Sequence, residues 1–175
     1  MARMKRLWAP VLVALLVAAL LGPASGAVTA VEPRLVTANL MVPAGAFVPV
    51  RATDGYQNAG TLLWTDTGGD FLTEVTFPVP IVTIKRITLY SLDTDAGGEA
   101  CVALFRTRPT QGSEDTAAFG LCSTDNPGDP GVASMAVADF RRVDTASQGA
   151  ILQLFLSGAV GVRGVKVTYT YETPA

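Results

Sequence analysis

Residues 162–172 read Val-Arg-Gly-Val-Lys-Val-Thr-Tyr-Thr-Tyr-Glu, and from Val165 onward every second residue is apolar or aromatic. In an extended chain successive side chains point to opposite faces, so Val165, Val167, Tyr169 and Tyr171 share one side and Lys166, Thr168 and Thr170 the other. A helix would scatter those four apolar residues around its circumference. The stretch reads as a strand with one core face and one wet face, as found in antiparallel sheets packed on a single side.

Upstream, Leu152, Leu154 and Leu156 alternate in the same way. The opposite set there, Ile151, Gln153 and Phe155, is also mostly apolar, which predicts a central strand covered on both sides. Further runs rich in Val, Ile, Thr, Leu and aromatics cover 35–42, 47–51, 61–65, 71–77, 83–91, 99–107, 116–123 and 150–157. Turn-forming clusters separate them: Pro43-Ala44-Gly45, Asp54-Gly55, Thr67-Gly68-Gly69-Asp70, Pro78-Val79-Pro80 and residues 125–131. Short strands at regular spacing with such punctuation predict an all-β fold, an antiparallel β-sandwich of jelly-roll or immunoglobulin-like type with about eight or nine strands. Residues 132–143 fit two patterns. Val132, Met135, Ala136, Phe140 and Val143 form a helical stripe, whereas Ala133, Met135 and Val137 form a strand face; the strand is favoured.

The chain opens with Arg3, Lys5 and Arg6, an apolar run from Val11 to Leu21, and small residues from Gly22 to Ala27. This order is that of a secretory signal peptide over residues 1–27, with cleavage expected after Gly26 or Ala27. The run is shorter than the roughly 20 apolar residues a membrane-spanning helix needs. Residues 28–175 are expected to form a single exported β-sandwich domain with no transmembrane segment after cleavage, secreted to an extracellular location.

All 15 acidic residues, but only ten of the 13 basic ones, follow residue 27, so the expected domain carries a net charge of −5. That balance argues against a nucleic-acid partner, which requires clustered positive charge. The sequence contains no histidine. The commonest general base and transition-metal ligand are therefore both missing, which excludes the usual serine or cysteine triad and any histidine-ligated metal. Carboxylate chemistry and calcium are what is left.

Cys101 and Cys122 are the only cysteines. In an oxidising compartment such a pair is expected to form a disulfide. If 99–107 and 116–123 form an antiparallel hairpin, pairing the cysteines places Val102 opposite Leu121 and Leu104 opposite Phe119, two apolar pairs on one face.

Asp93, Asp95 and Glu99 surround Gly97-Gly98, and alternating oxygen ligands beside a tight glycine turn suit calcium. The EF-hand spacing fails, because Gly97 and Leu104 occupy positions that need ligands. A looser calcium site competes with a polar hairpin turn between two strands, and no other cofactor is suggested. Trp64, with Tyr56 and Tyr90, offers aromatic surface that could stack on sugar rings or a partner protein; ordinary core packing is the alternative. Glu114, Asp115, Asp125 and Asp129 could bring carboxylates together near one end of the sandwich, as glycoside hydrolysis requires.

The strand from Ile84 to Tyr90, the turn Asp93-Thr94-Asp95, the strand ending Leu104-Phe105-Arg106 and the closing run from Val162 to Tyr169 together resemble uncharacterised single-domain secreted bacterial β-sandwich proteins. The resemblance covers a little over half of the chain. It implies the fold and carries no activity, because that group has none assigned. The sequence thus reads as a non-enzymatic extracellular or cell-surface module with a binding or structural role. A carbohydrate-binding module, calcium-dependent or not, is the first alternative and a carboxylate-based glycoside hydrolase the second. The partner expected is an extracellular glycan or protein.

Overall fold

The computed structural model describes residues 32–93, 97–110, 112–123, 131–138 and 142–173, with the side chains of 113–119 left aside. The leader expected over residues 1–27 lies outside them. Pro33–Ala175 forms one compact unit, and none of its described helices is long and apolar enough to cross a membrane.

The fold is an antiparallel β-sandwich of twelve strands among the described residues: β1 (Arg34–Pro43), β2 (Val48–Pro49), β3 (Gln57–Asn58), β4 (Leu63–Thr65), β5 (Gly69–Glu74), β6 (Ile81–Asp93), β7 (Glu99–Arg108), β8 (Ser113–Cys122), β9 (Gly131–Ala136), β10 (Arg142–Asp144), β11 (Gly149–Ser157) and β12 (Val160–Thr173). Seven of them form one sheet around the long pair β6 and β12. β10 and β9 pair with the outer edge of β6, while β1 and β4 pair with the far edge of β12 and β3 follows β4. The other sheet runs β2-β5-β11-β7-β8.

Each inner face follows from alternation. On β11, Ala150, Leu152, Leu154 and Leu156 point inward, opposite Leu104, Val102 and Ala100 of β7. The half-buried Ile151, Gln153 and Phe155 lie on the reverse face. β11 is the middle strand of its sheet, as its two-sided apolarity predicts. On β12, Val165, Val167 and Tyr169 are buried, and Tyr169 packs edge-on against Phe77 with ring centroids 5.0 Å apart. The interior is completed by Phe47, Leu63, Phe71, Val82, Ile84, Ile87 and Leu89.

In the segment with two readings, residues 132–136 lie in β9 and 142–143 in β10, Val137 and Ala138 follow β9 outside the strand, and 139–141 lie outside the described residues. Ala133, Met135 and Val137 are the covered positions, and Val132, Ser134 and Ala136 are exposed. The strand count exceeds the expected eight or nine because short pieces such as Gln57–Asn58 and Arg142–Asp144 carry too few residues to show a period.

Cys101 and Cys122 form a disulfide between directly opposed positions of β7 and β8. Val102 faces Leu121 as expected, but Leu104 faces Ala118 rather than Phe119. Gly120, at φ +79°, causes the slip: glycine adopts the left-handed region at little cost and inserts one extra residue into β8.

The segment from Asp93 to Glu99 is not a hairpin. β6 belongs to the seven-stranded sheet and β7 to the five-stranded one, so this link crosses between layers. At another such crossing, between β4 and β5, the buried Thr65 hydroxyl accepts the amides of Thr67 (3.2 Å) and Gly68 (2.9 Å) and holds the corner.

Candidate functional site

The outer face of the seven-stranded sheet is built by two irregularities in its central strands. On β6 the inward residues are Val82 and Ile84, then Ile87 and Leu89, all fully buried. The register on β12 passes from Ile84 to Arg86 and skips Lys85. A bulge there turns two consecutive residues, Lys85 and Arg86, to the solvent. β12 has the same device. Val162 and Val165 are inward, the register skips Arg163, and Arg163 and Gly164 share the outer side.

With those slips fixed, the outer rows can be read across the sheet. Arg86 stands beside Thr168 and Asn39, Thr88 beside Lys166 and Met41, and Tyr90 beside Gly164 and Pro43. Near the end of β12 the neighbour changes from β1 to β4, and Gly161 lies between Leu92 and Trp64. Leu63 and Thr65 of β4 are buried, so Trp64 between them must point outward. Trp64 and Tyr90 therefore share one face although they lie on different strands.

Trp64 is half-buried and held in place. Its indole N–H donates to the Asp66 carboxylate at 2.9 Å. Its Cε3 atom and Leu62 Cδ1 each lie 2.9 Å from where a Cβ on Gly161 would stand, so the ring rests on bare backbone. Tyr90, also half-buried, has the Lys166 ammonium 5.9 Å from its ring centroid, within reach of a cation–π attraction. Tyr90 also borders a shallow cavity of about 270 Å³ with Met41, Pro43, Gly60, Thr61 and Arg163. Gly164 lines that cavity because no larger residue fits: its φ is +156° and a Cβ would meet the Val42 carbonyl at 2.7 Å.

The hydroxyls of Thr88 and Ser134 bond to each other at 2.8 Å, and the Thr168 hydroxyl donates to the Asn39 side-chain Oδ1 at 2.7 Å. The face thus carries rings at one end and fixed hydroxyl and amide groups beside them. Such a surface can stack on a sugar ring and exchange hydrogen bonds with its hydroxyls.

Tyr56 does not join it. It is 41% exposed but packs edge-on against Phe71 of the opposite sheet at 5.3 Å. Of the acidic trio, Asp95 lies outside the described residues. Asp93 is buried and accepts a 2.8 Å hydrogen bond from Ser123 Oγ, which in turn accepts the Ala100 amide at 3.0 Å. Glu99 is exposed on β7 near Cys101 and Cys122, whose thiols are consumed in the disulfide. Among the described residues, Asp93 and Glu99 therefore occupy different surroundings. Asp125 and Asp129 fall outside the described residues, as do the side chains of Glu114 and Asp115.

A larger groove of about 650 Å³ lies at the other end of the sheet, bordered by Leu35, Ile81, Thr83, Arg142, Tyr171 and Glu172. Sequence reasoning selected Trp64 and Tyr90 but missed Gly161, Gly164, Lys166 and Met41. The glycines carry a partial signal, because a glycine inside an otherwise regular strand marks a bulge or a close approach.

No protein-family model and no curated protein matches the sequence. In structure the chain is similar to the CBM22-1–GH10 modules of an endo-1,4-β-D-xylanase of Clostridium thermocellum, solved with xylohexaose, at a TM-score of 0.51 and 10% identity, covering 79% of this chain and 28% of that one. It is also similar to the C-terminal CBM6 of a laminarinase from Zobellia galactanivorans (TM-score 0.46, 14% identity, 75% and 99% covered). A family 35 carbohydrate-binding module from Clostridium thermocellum gives a TM-score of 0.45 at 9% identity, with 74% and 97% covered. At these identities the first likeness is one of fold, the β-sandwich described above, and fold alone does not carry function.

Proposed function

We propose that the protein is a secreted, non-catalytic module that binds an extracellular glycan on the outer face of its seven-stranded sheet, between Trp64 and Tyr90. The observation that carries this reading is the mounting of Trp64. One side of its ring lies on Gly161, and its N–H is tied to Asp66. A ring already held in one orientation loses little freedom on binding, so more of its stacking energy appears as affinity. The leader and the disulfide both fit an oxidising, external location. The xylanase modules of similar fold were solved with xylohexaose, which makes a β-1,4-xylan a rational first probe for this chain.

The test is isothermal titration or affinity electrophoresis of the purified protein against a panel of soluble polysaccharides that includes xylan, comparing the parent with Trp64→Ala and Tyr90→Ala. Aromatic contacts of this kind are worth about 0.5–1.5 kcal/mol each. Each substitution should therefore weaken binding by up to about tenfold while the fold, monitored by circular dichroism, persists. Glycan binding that both variants retain at full strength would move the site elsewhere. Failure of the parent to bind any glycan would defeat the reading.

A further inference from the structure

We infer that the glycan recognised on this face is anionic, a polysaccharide bearing uronate carboxylates; the inference rests on the glycan-binding reading above and specifies its ligand class. The domain carries net negative charge, yet the middle of the outer face is cationic. Both bulges contribute to this. The bulge on β6 turns Lys85 and Arg86 outward together, and the one on β12 adds Arg163. Lys166 stands two residues along β12 from Thr168, the partner of Arg86. Arg86 and Lys166 are therefore diagonal neighbours, roughly 7–8 Å apart at the backbone.

No carboxylate lies between them. On this face the described acids are Asp66, committed to Trp64, and Asp144 and Glu172 at the far end, where they neighbour Ile81 and Leu35. Two like charges placed diagonally on a sheet repel unless a counter-charge is supplied, and neither Lys85, Arg86 nor Lys166 forms an ion pair with a described carboxylate. Among the described residues no carboxylate supplies that counter-charge, and the carboxylate of a bound ligand would.

The chemistry around the cations selects the kind of anion. Lys166 sits over the edge of the Tyr90 site at 5.9 Å from its ring, and the more exposed Ser134, Thr168 and Asn39 supply neutral polar groups along the same rows. A pyranose stacked on an aromatic ring with its carboxylate toward Lys166 and Arg86 satisfies both features at once. Nucleic acid fits less well. Tight binders neutralise about 6–10 phosphates with as many cations, and the described cations of this face, Lys85, Arg86, Arg142, Arg163 and Lys166, are fewer, are spread from one end of the sheet to the other, and sit on a net acidic domain.

The experiment measures affinity for polygalacturonate, polymannuronate and polyglucuronate, each beside its methyl ester, which has the same backbone without the charge. At least one acid polymer should bind tenfold or more tighter than its ester, more weakly as salt rises, and tenfold or more weaker to the double variant R86Q/K166Q. The variant's melting temperature confirms that it folds. Equal affinity for acid and ester, or an unchanged R86Q/K166Q, would overturn the inference while leaving a neutral-glycan module standing. Duplex DNA bound as tightly as the acid polymers would also overturn it, in favour of indiscriminate polyanion binding. Binding to none of the six polymers, nor to any neutral glycan, would overturn both readings together.

Discussion

The indole of Trp64 lies over Gly161, its cross-strand partner on β12, so closely that Cε3 is 2.9 Å from the place a Cβ would take. The single missing side chain on β12 determines how the ring on β4 sits. Leu62 Cδ1 crowds the same point, and the Leu63 carbonyl is 3.2 Å away.

Replacing Gly161 by alanine should therefore lift the indole from the sheet. Overpacking of this kind costs about 1–3 kcal/mol. Trp64 is the sole tryptophan after residue 27, so fluorescence of the processed protein reports on it alone. Gly161→Ala should shift the emission maximum to the red and weaken glycan binding. An unchanged spectrum would show that the ring does not rest on this glycine.

The disulfide closes a loop with a sequence separation of 21. Cross-linking a loop of this size stabilises a domain by about 3 kcal/mol on the chain-entropy estimate. Cys101→Ala/Cys122→Ala should lower unfolding stability in urea by that order. A loss below about 1 kcal/mol would mean that the β7–β8 ladder already restrains the unfolded chain.

Asp93 and Ser123 tie the end of β6 to β7 and β8 across the two layers. Because the Asp93 side chain is buried, Asp93→Ala leaves the Ser123 hydroxyl without its acceptor, at a cost of about 1–3 kcal/mol. Asp93→Asn, which keeps an acceptor oxygen, should lose less. Chemical denaturation of both variants checks the ranking, and equal losses would point to charge rather than hydrogen bonding.

Burial, and secondarily the neighbouring phenol of Tyr171, raises the Tyr169 pKa above its ordinary value. The native state then holds this proton when the unfolded state has released it. The associated stability is present below the ordinary tyrosine pKa of about 10 and is lost as pH rises past it. Urea midpoints measured from pH 8 to 11 should fall more steeply for the parent than for Tyr169→Phe. Parallel curves would show that the phenol ionises without consequence for folding.

Several parts of this architecture were legible in the chain. β12 and β11 declare their inner faces by alternation, and the mixed pattern resolves as a strand at Ala133 and Met135. The cysteine pair predicts the first two rungs of the β7–β8 ladder. The third rung fails at Gly120, because a bulge depends on a backbone conformation that glycine permits but does not demand. The turn chemistry of residues 93–99 predicted a change of direction, but not that the chain passes to the other sheet. Aspartate and glycine suit a hairpin and an inter-sheet crossing equally well.

Trp64 and Tyr90 were legible as candidates but not as a pair. Both are aromatic residues in strand-forming runs, and nothing local distinguishes a ring on an outer face from one in the core. Tyr56 shows the converse, since an equally plausible ring packs on Phe71 at a different part of the sandwich.

What the sequence determined by itself was local: extended segments with a period of two, Gly and Pro punctuation between them, an apolar set large enough for a two-layer core, and one pair of cysteines. These depend on sterics and solvation acting over a few residues. The tertiary structure alone decided which strands neighbour one another, where Lys85 and Arg163 bulge outward, and that Trp64 comes to rest on Gly161. Those relationships join residues far apart in the chain, Trp64 with Gly161 and Arg34 with Thr173, and they are selected by the packing of two whole sheets, an interaction with no counterpart in any short stretch of chain.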